Sequence, residues 1–330
     1  MKKFLKKLAL FCTPFFILLI IGFNLDILKV FKSYDNYYDN DNLVALNRTL
    51  VSTKIFKKNN ASENYNAFIF GSSRSQAFKA KSWKKYLPEN ASVFHYDGYT
   101  ENLYGIYKKI EFLDSQHINL EHALIVIDRS TLIGTEKRDT HHQINPIVFN
   151  DVSAVKFYWV NLKASLNPRL VISYIDYSLF KTYRSYMKNH IRRYKYPDTY
   201  TPISNDIYYD YDKLIAEDSL AYYKHMSSKF YKRPITNYKK ADVSTEEIKL
   251  LKAIETILEK HKTSYKIVVS PLYDQIPLEK EQLELLKRVF KPNSVYNFSG
   301  DNELTRPISN FYEQSHYRPV VANKILDSIY

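Results

Sequence analysis

A serine with the surroundings of a nucleophile stands in the segment Phe68-Ile69-Phe70-Gly71-Ser72-Ser73-Arg74-Ser75. The apolar run predicts a buried parallel strand, and Gly71 after it permits a tight turn. Ligands bind at such strand ends in open α/β sheets. Ser73 would stand at the start of the next helix, where backbone N–H groups can stabilise an oxyanion. The alternative is that Ser72, Ser73 and Ser75 only cap that helix.

A histidine with the surroundings of a general base lies near the end of the sequence, in Glu313-Gln314-Ser315-His316. His316 stands immediately before a predicted helix, and Glu313 lies three residues upstream. This spacing lets one loop supply both groups, so that the carboxylate fixes the imidazole tautomer while the imidazole accepts a proton from a distant serine. Alternatively, His316 is only a surface or capping residue.

The elements that must position these two segments predict an α/β fold. Predicted strands cover residues 67–70, 92–95, 123–127, 265–269 and 294–297, and predicted helices cover residues 102–113, 245–260, 279–290 and 318–329. Strands that alternate with helices of this length are typical of βαβ units. We therefore expect a three-layer, doubly wound parallel sheet, which would bring Ser73 and His316 together.

The two segments together resemble the SGNH/GDSL hydrolase superfamily, which opens with a G-D-S-type block and closes with a D-x-x-H block before the last helix. Gly71-Ser72-Ser73 is similar to the first block, with Ser72 in place of Asp, and residues 313–316 are similar to the last, with Glu in place of Asp. The resemblance covers residues 64–134 and 244–330. It is greatest to a membrane-anchored branch that includes acyl-transfer proteins of alginate and teichoic acid.

The resemblance implies a serine esterase or O-acyltransferase in which Ser73 is the nucleophile, His316 the base and Glu313 the acid. It also implies an oxyanion hole, formed here by the backbone N–H groups of Ser73 and Gly98. The family's G-x-N-D block is absent after the third strand, where Asp128-Arg129-Ser130 stands instead. The further candidates for substrate or oxyanion contacts are Arg74, Asp128, Arg129, Ser130 and His142.

Acyl transfer by a serine requires neither a metal nor an organic cofactor, so none is expected. The implied substrate is an acyl ester of a cell-envelope or extracellular polysaccharide, and the implied partner is a multipass membrane acyltransferase. Asp274, at another predicted strand end, is an alternative acid. The competing hypothesis is a non-catalytic envelope protein that binds a polysaccharide or an assembly partner, and the missing G-x-N-D block favours it.

The N-terminal residues predict a membrane anchor. Residues 8–25 carry no charge, which satisfies the length needed to cross a bilayer, and four lysines precede them. Basic residues stay on the cytoplasmic side, so we expect residues 1–29 to anchor the chain in a bacterial cytoplasmic membrane with the rest outside. No A-x-A-like site follows the run, which favours an uncleaved signal anchor over a signal peptide. Cys12 lacks the preceding small residue of a lipoprotein signal.

Two segments fall outside the α/β pattern. Residues 30–63 are expected to form a tether, and residues 135–242 a Tyr-rich, mostly helical insertion within an α/β domain that spans residues 64–330. The segment 181–240 holds 13 Lys/Arg against 6 Asp/Glu, which suits anionic lipid or an acidic polymer but is also consistent with a solvated basic face. The net charge of +13 would suit nucleic acid as well, but no nucleic-acid motif accompanies it, so we expect no such partner.

Overall fold

The computed structural model describes residues 1–39, 43–192, 199–233 and 242–330. The strands are β1 (Ala67–Gly71), β2 (Val93–Asp97), β3 (His122–Ile127), β4 (Thr199–Thr201), β5 (Asp206–Tyr208), β6 (Ser264–Val269), β7 (Val295–Asn297), β8 (Phe311–Glu313) and β9 (His316–Tyr317). The α-helices are α1 (Lys2–Leu25), α2 (Arg48–Glu63), α3 (Ala80–Lys84), α4 (Leu103–Ser115), α5 (Arg129–Leu132), α6 (Ala154–Ser165), α7 (Pro168–Phe180), α8 (Tyr211–Glu217), α9 (Ser219–His225), α10 (Thr245–Lys260), α11 (Lys280–Val289) and α12 (Pro319–Ile329). Short 3-10 helices cover Ser73–Ala77, Ile147–Phe149, Ser185–Met187, Ser227–Lys229 and Ile308–Asn310.

The main sheet has five parallel strands in the order β2-β1-β3-β6-β7. The chain passes from β1 to the edge strand β2 and then returns to β3 on the other side of β1, so the direction of winding reverses between β1 and β3. The carboxyl ends of these two strands therefore border the crevice in which such sheets bind ligands. The predicted strands and helices of the α/β pattern are confirmed, with ends that differ by no more than two residues.

The central strands β1 and β3 are buried on both faces, which explains why they are nearly continuous apolar runs. Successive side chains of a strand point to opposite faces. On one face, Phe68 and Phe70 belong to a core that includes α2, α4, α10 and α11. On the other face, Ile69 packs in a core with Trp83 of α3 and Ile325 of α12. Helices on both faces give the expected three layers.

The prediction that residues 30–63 form a tether was wrong. Within this segment α2 begins at Asn47, whose side chain accepts the N–H of Leu50 at 3.0 Å. The first half of α2 buries Val51, Ile55 and Phe56 in the core. Its second half is Lys- and Asn-rich and largely exposed. The helical period is therefore visible in only half of the helix, too short a stretch for the sequence pattern to reveal it.

The segment 135–242 is largely helical where it is described, as expected, but it also contains the β4–β5 hairpin. Its residues 193–198 and 234–241 lie outside the described residues. The turn of the hairpin binds the edge of the main sheet: the carbonyl of Ser204 accepts the N–H of His95 at 2.9 Å, and the Asn205 amide donates to the His95 carbonyl at 2.6 Å. The insertion therefore covers the edge of β2 that would otherwise be exposed.

The N-terminal residues form one helix, α1, which ends at Leu25 and has Asp26 as its C-cap residue. The Asp26 carboxylate accepts the N–H groups of Val30 and Lys32, each at 2.8 Å, and so turns the chain toward the domain. Within the part of the chain that the structure describes, no helix is both long and apolar enough to cross a membrane.

Candidate active site

The structure brings Ser73 and His316 together at the carboxyl end of the sheet. Ser73 is the first residue of the 3-10 helix that follows β1, and His316 begins β9. The Oγ atom of Ser73 lies 2.8 Å from Nε2 of His316. A serine and an imidazole at this distance can exchange a proton.

Glu313 holds the other side of the His316 ring. One of its carboxylate oxygens bonds Nδ1 of His316, and the other accepts the N–H of Ser315 at 2.7 Å. Burial would raise the pKa of Glu313, but the hydrogen bonds from His316 and Ser315 outweigh it and place the pKa below its ordinary value. The ionised carboxylate keeps a proton on Nδ1, which leaves the lone pair of Nε2 directed at Ser73.

The turn that presents Ser73 requires Gly71. This residue has φ of +154°, and a Cβ at its position would lie 2.6 Å from the carbonyl oxygen of Val126. The capping interpretation holds for Ser72, whose side chain accepts the N–H of Arg74 at 3.4 Å. It does not hold for Ser75, whose hydroxyl donates to the Ser72 carbonyl at 2.7 Å and so acts as a donor, not as a cap. Ser73 differs from both, because its hydroxyl meets the imidazole.

Of the two N–H groups expected to form an oxyanion hole, the structure leaves only that of Ser73 as a candidate. The N–H of Ser73 occupies the first position of its helix, where a backbone N–H has no acceptor within the helix. Gly98 was predicted to supply the second N–H, and this prediction was wrong. The N–H of Gly98 donates to the carbonyl of Gly71 at 3.1 Å, since the β1–β2 ladder continues one step past the Gly71–Asp97 pair.

Two of the residues that stand in place of the G-x-N-D block, Asp128 and Ser130, bind Arg74. Nη1 of Arg74 donates to Asp128 at 2.6 Å and to Ser130 at 3.4 Å, and its Nε donates to the carbonyl of Ser315 at 3.0 Å. Burial would raise the pKa of Asp128, but Arg74 and Ser130 hold it below the ordinary value. Arg74 therefore joins three parts of the site: the turn that carries Ser73, the end of β3 and the loop before His316.

Three other predicted residues do not join the dyad. Arg129 donates to Asp274, so the alternative acid is paired with a cation, and Glu313 alone bonds His316 among the described carboxylates. His142 lines a second cavity, together with Arg192. Burial and the positive charges of His141 and Arg192 lower the pKa of His142 to about 4.

A cavity of about 350 Å³ opens beside Ser73, Glu313 and His316. Its aromatic lining consists of Tyr99, Tyr209, Tyr211, Tyr312 and Tyr317. The insertion contributes two of these rings, together with Arg192, so it forms part of the wall of the site. Large rings with polar hydroxyls suit a ligand that has both apolar faces and hydrogen-bonding groups.

Lys79 is the buried cation of this cavity. Its Nζ donates to the carbonyls of Gln76 and Ile207. Burial lowers the pKa of Lys79 to about 8, although Asp206 and Asp212 oppose the shift. Lys79 thereby joins the 3-10 helix Ser73–Ala77 to β5, so the insertion supports the helix that carries Ser73.

Sequence reasoning missed a buried polar network that contacts the 3-10 helix Ser73–Ala77. The Gln76 amide donates to Asp97 at 2.7 Å, and Asp97 accepts Nε of Arg48 at 2.8 Å. Both members of the ion pair are fully buried. Burial would raise the pKa of Asp97, but Arg48 and His95 hold it below the ordinary value.

A second branch of this network links Ser75 to the insertion. Nε2 of His95 lies 3.0 Å from the Ser75 hydroxyl, and Nδ1 of His95 lies 3.1 Å from Asp206. All three residues are buried. The available signal was the sequence of β2, Val93-Phe94-His95-Tyr96-Asp97, in which a histidine and an aspartate interrupt an otherwise apolar strand. Buried polar side chains of this kind have partners.

For the acyl-ester cleavage that the resemblance implies, we expect Asp128→Asn to lower kcat by about tenfold. This loss is equivalent to an increase of about 1.4 kcal/mol in the activation barrier. Asparagine retains the helix cap that the Asp128 side chain provides for Thr131 but removes the charge that fixes Arg74. The Ser315 carbonyl then loses a fixed donor, and the loop that carries His316 gains freedom. The measurement is steady-state kinetics beside thermal unfolding. An unchanged kcat in a destabilised variant would show that Arg74 serves the fold alone.

Comparison with known proteins found no match, so the class of this protein rests on its fold and its site. A scan against protein-family models gave no match, and searches of the curated proteins and of the solved structures gave none either. The fold and the site define an α/β protein with a Ser-His-Glu arrangement at the carboxyl end of a five-stranded parallel sheet. The resemblance to SGNH/GDSL hydrolases stays a prediction.

Proposed function

We propose that this protein is a serine esterase or O-acyltransferase of the SGNH/GDSL type that acts on acyl esters of an envelope or extracellular polysaccharide. The observation that carries the proposal is the 2.8 Å contact between Ser73 and His316, with Glu313 on the far side of the imidazole. The contact lies beside a cavity and follows β1, at the point where the strand order reverses. Ligand sites of doubly wound sheets occur at this point.

In the proposed reaction, Nε2 of His316 takes the proton of Ser73 while Ser73 Oγ attacks the acyl carbonyl. The oxyanion that forms accepts a hydrogen bond from the Ser73 N–H. The bond to the leaving alcohol then breaks, and His316 returns the proton to that alcohol. Water or a glycan hydroxyl next attacks the acyl-serine, again with His316 as base, and the free Ser73 hydroxyl is restored.

The lining of the cavity supports a sugar-bearing substrate. Five tyrosine rings line the cavity beside Ser73 and His316, and rings of this kind can stack on the apolar faces of a pyranose. The hydroxyls of Tyr312 and Tyr317 already bond Asp212 and Ser270, so these two residues offer a sugar only their rings. The basic balance of the insertion favours an acidic polymer as acceptor. Transfer to such an acceptor needs an acyl donor, and we propose a multipass membrane acyltransferase as the partner that supplies it.

We further propose that the chain is held in the cytoplasmic membrane by its N-terminal helix, with the α/β domain outside. The uncharged run 8–25 and the four lysines before it support this arrangement. A reporter enzyme that is active only outside the cytoplasm should be active when fused after Tyr330. A reporter that requires the cytoplasm should be inactive at the same position. The opposite pair of results would refute the proposed localisation.

The test of the proposed chemistry uses the purified full chain, a small aryl acetate and a fluorophosphonate. We expect time-dependent release of acetate and a phosphonate adduct whose mass maps to the peptide that contains Ser73. Acid-stable labelling of another residue, or neither acetate release nor labelling, would count against a serine enzyme.

A second candidate function is a non-catalytic binding protein that has kept the fold. The observation that favours it is the use of the Gly98 N–H in the β1–β2 ladder, which leaves the oxyanion with fewer donors than the family pattern provides. In that case an acidic polysaccharide should bind with equal affinity to the wild-type chain and to a Ser73→Ala variant, and neither should release acetate.

A further inference from the structure

Helices α6 and α7 expose large apolar side chains that a water-facing surface rarely carries together. Trp159 of α6 is 61% exposed and Leu179 of α7 is 70% exposed. The exposed apolar residues of the two helices are Val155, Tyr158, Trp159, Ile172, Ile175, Leu179 and Phe180. We call this set the apolar surface of α6–α7. Exposed patches of this size mark sites of association with proteins or membranes.

The spacing of these residues shows that each helix has two apolar faces. On α6, Val155 and Trp159 are four residues apart and stand on one face, whereas Phe157 is buried in the core. On α7, Ile172 and Leu179 are seven residues apart and share an exposed face, whereas Leu170, Val171, Tyr174 and Tyr177 pack against the core. A helix that packs on the domain with one face and exposes a second apolar face is suited to a further apolar neighbour.

The apolar surface of α6–α7 continues into α1. Leu166, which follows α6, lies 3.0 Å from the position that a Cβ of Gly22 would occupy, so the two helices approach closely. Phe31, just after α1, stacks on Tyr158 with a centroid distance of 6.2 Å and contacts Phe23 at 4.5 Å. The exposed apolar residues of α1 include Phe4, Leu5, Leu8, Leu10, Phe11, Ile20 and Phe23.

The charges along the two helices and the loop after them are mostly positive, although Lys156 pairs with Asp139 and Arg184 with Asp176. From residue 154 to residue 191 the sequence has six Lys/Arg and a single acid, Asp176. The six basic residues, all exposed, are Lys156, Lys163, Arg169, Lys181, Arg184 and Lys188. Apolar rings beside a basic rim are typical of helices that lie in the headgroup region of an anionic bilayer, where Trp and Tyr are enriched.

We propose that the apolar surface of α6–α7 inserts into the outer part of an anionic lipid bilayer. A bilayer is the occupant favoured over a protein because this surface borders α1, whose apolar side chains from Phe4 to Phe11 are also exposed. The basic rim provides the charge complementarity. The contact would hold the domain against the membrane in one orientation, and it is independent of the acyl chemistry proposed above.

The fluorescence of Trp159 can report on this contact, because the chain has only two tryptophans. Trp83 is fully buried and its indole N–H donates to Tyr330 at 2.9 Å, whereas Trp159 is exposed. The full chain is reconstituted into vesicles of phosphatidylcholine and phosphatidylglycerol, with and without bromine on the acyl chains. We expect brominated lipid to quench the emission of the wild-type chain. Trp159→Phe, which leaves only the core tryptophan, should lose that quenching.

Two further measurements make the result decisive. If aqueous acrylamide quenches Trp159 while brominated lipid does not, the surface faces water and the proposal fails. If Trp159 is shielded from both quenchers, a protein surface covers it, and the bilayer proposal fails equally.

The charge-reversed variant Arg169→Glu/Lys181→Glu should lose quenching in vesicles that contain phosphatidylglycerol. In vesicles of phosphatidylcholine alone it should match the wild type, and equal quenching of both chains in both lipids would overturn the role of the rim.

Discussion

Ser73→Ala is expected to lower the rate of acyl-ester cleavage or transfer by about 10⁶-fold, the loss seen when a triad nucleophile is removed. The variant has no atom that can form the acyl intermediate, and the Nε2 atom of His316 is left without the proton that it would accept. Labelling by a fluorophosphonate should disappear together with the activity. Both readouts come from the same purified chain, so they exclude a loss caused by poor expression.

The same substitution should leave the fold almost unchanged. Ser73 is only partly buried, and the side chain of its partner His316 is 39% exposed, so water can replace the lost hydrogen bond. Surface substitutions of this kind usually change the free energy of unfolding by about 0.5 kcal/mol or less. Thermal unfolding of the variant should therefore overlay that of the wild type.

Ser72→Ala is the matched control, because it removes the same hydroxyl from the adjacent position. Ser72 caps the 3-10 helix Ser73–Ala77 through a long 3.4 Å contact with the N–H of Arg74. Loss of a cap costs about 1 kcal/mol of stability, but it leaves Ser73 and His316 in place. We expect most of the activity to remain. If Ser72→Ala and Ser73→Ala retain the same activity, Ser73 is not the nucleophile and the binding-protein function gains support.

The α/β framework was predictable because its central strands are buried on both faces. Such strands read as short apolar runs, and a run such as Ala67–Gly71 is visible without knowledge of its neighbours. The pairing of Ser73 with His316 followed from two local blocks at loops that the fold must bring to one end of the sheet. Each block contains its own signal, so its identification needed no information from residues distant in the sequence.

What could not be predicted depends on contacts between distant segments. The burial of α2 is set by a sheet face that lies later in the chain, and its polar second half conceals it. The hydrogen bond that uses the Gly98 N–H depends on where the β1–β2 ladder stops, which one residue of register decides. The contact of His95 with Asp206 joins residues 111 positions apart through the insertion. The periodicity of apolar and polar residues along a sequence carries no information about contacts between such distant residues.

Glu313→Gln is expected to lower kcat by about 10⁴-fold, the loss known for the equivalent change in a serine triad. The physical reason lies in the second partner of the carboxylate. The Ser315 N–H donates to one oxygen of Glu313 at 2.7 Å, so the oxygen of a glutamine should stay with Ser315 and its NH₂ group should face His316. An NH₂ donor at Nδ1 selects the tautomer with the proton on Nε2. That nitrogen then cannot accept the proton of Ser73.

Glu313→Asp separates charge from geometry. It keeps a carboxylate, which still requires a proton on Nδ1, but its side chain is one methylene shorter. We therefore expect a loss of kcat well below that of Glu313→Gln. Equal losses in the two variants would mean that the position of the acceptor, not its charge, sets the tautomer. No loss in either variant would mean that a group other than Glu313 orients His316.

Stability as a function of pH gives an independent readout of the same carboxylate. The pKa of Glu313 in the folded protein lies below its ordinary value of 4.5, because the bonds from His316 and Ser315 outweigh the effect of burial. Ionised Glu313 therefore stabilises the fold above about pH 4.5, and this contribution is lost as the pH falls through the lower, folded-state pKa. The Glu313→Gln variant cannot ionise at this position, so its free energy of unfolding should fall less than that of the wild type on acidification from neutral pH. Parallel losses of stability in the wild-type chain and in the Glu313→Gln variant would show that the carboxylate is not held by His316 in solution.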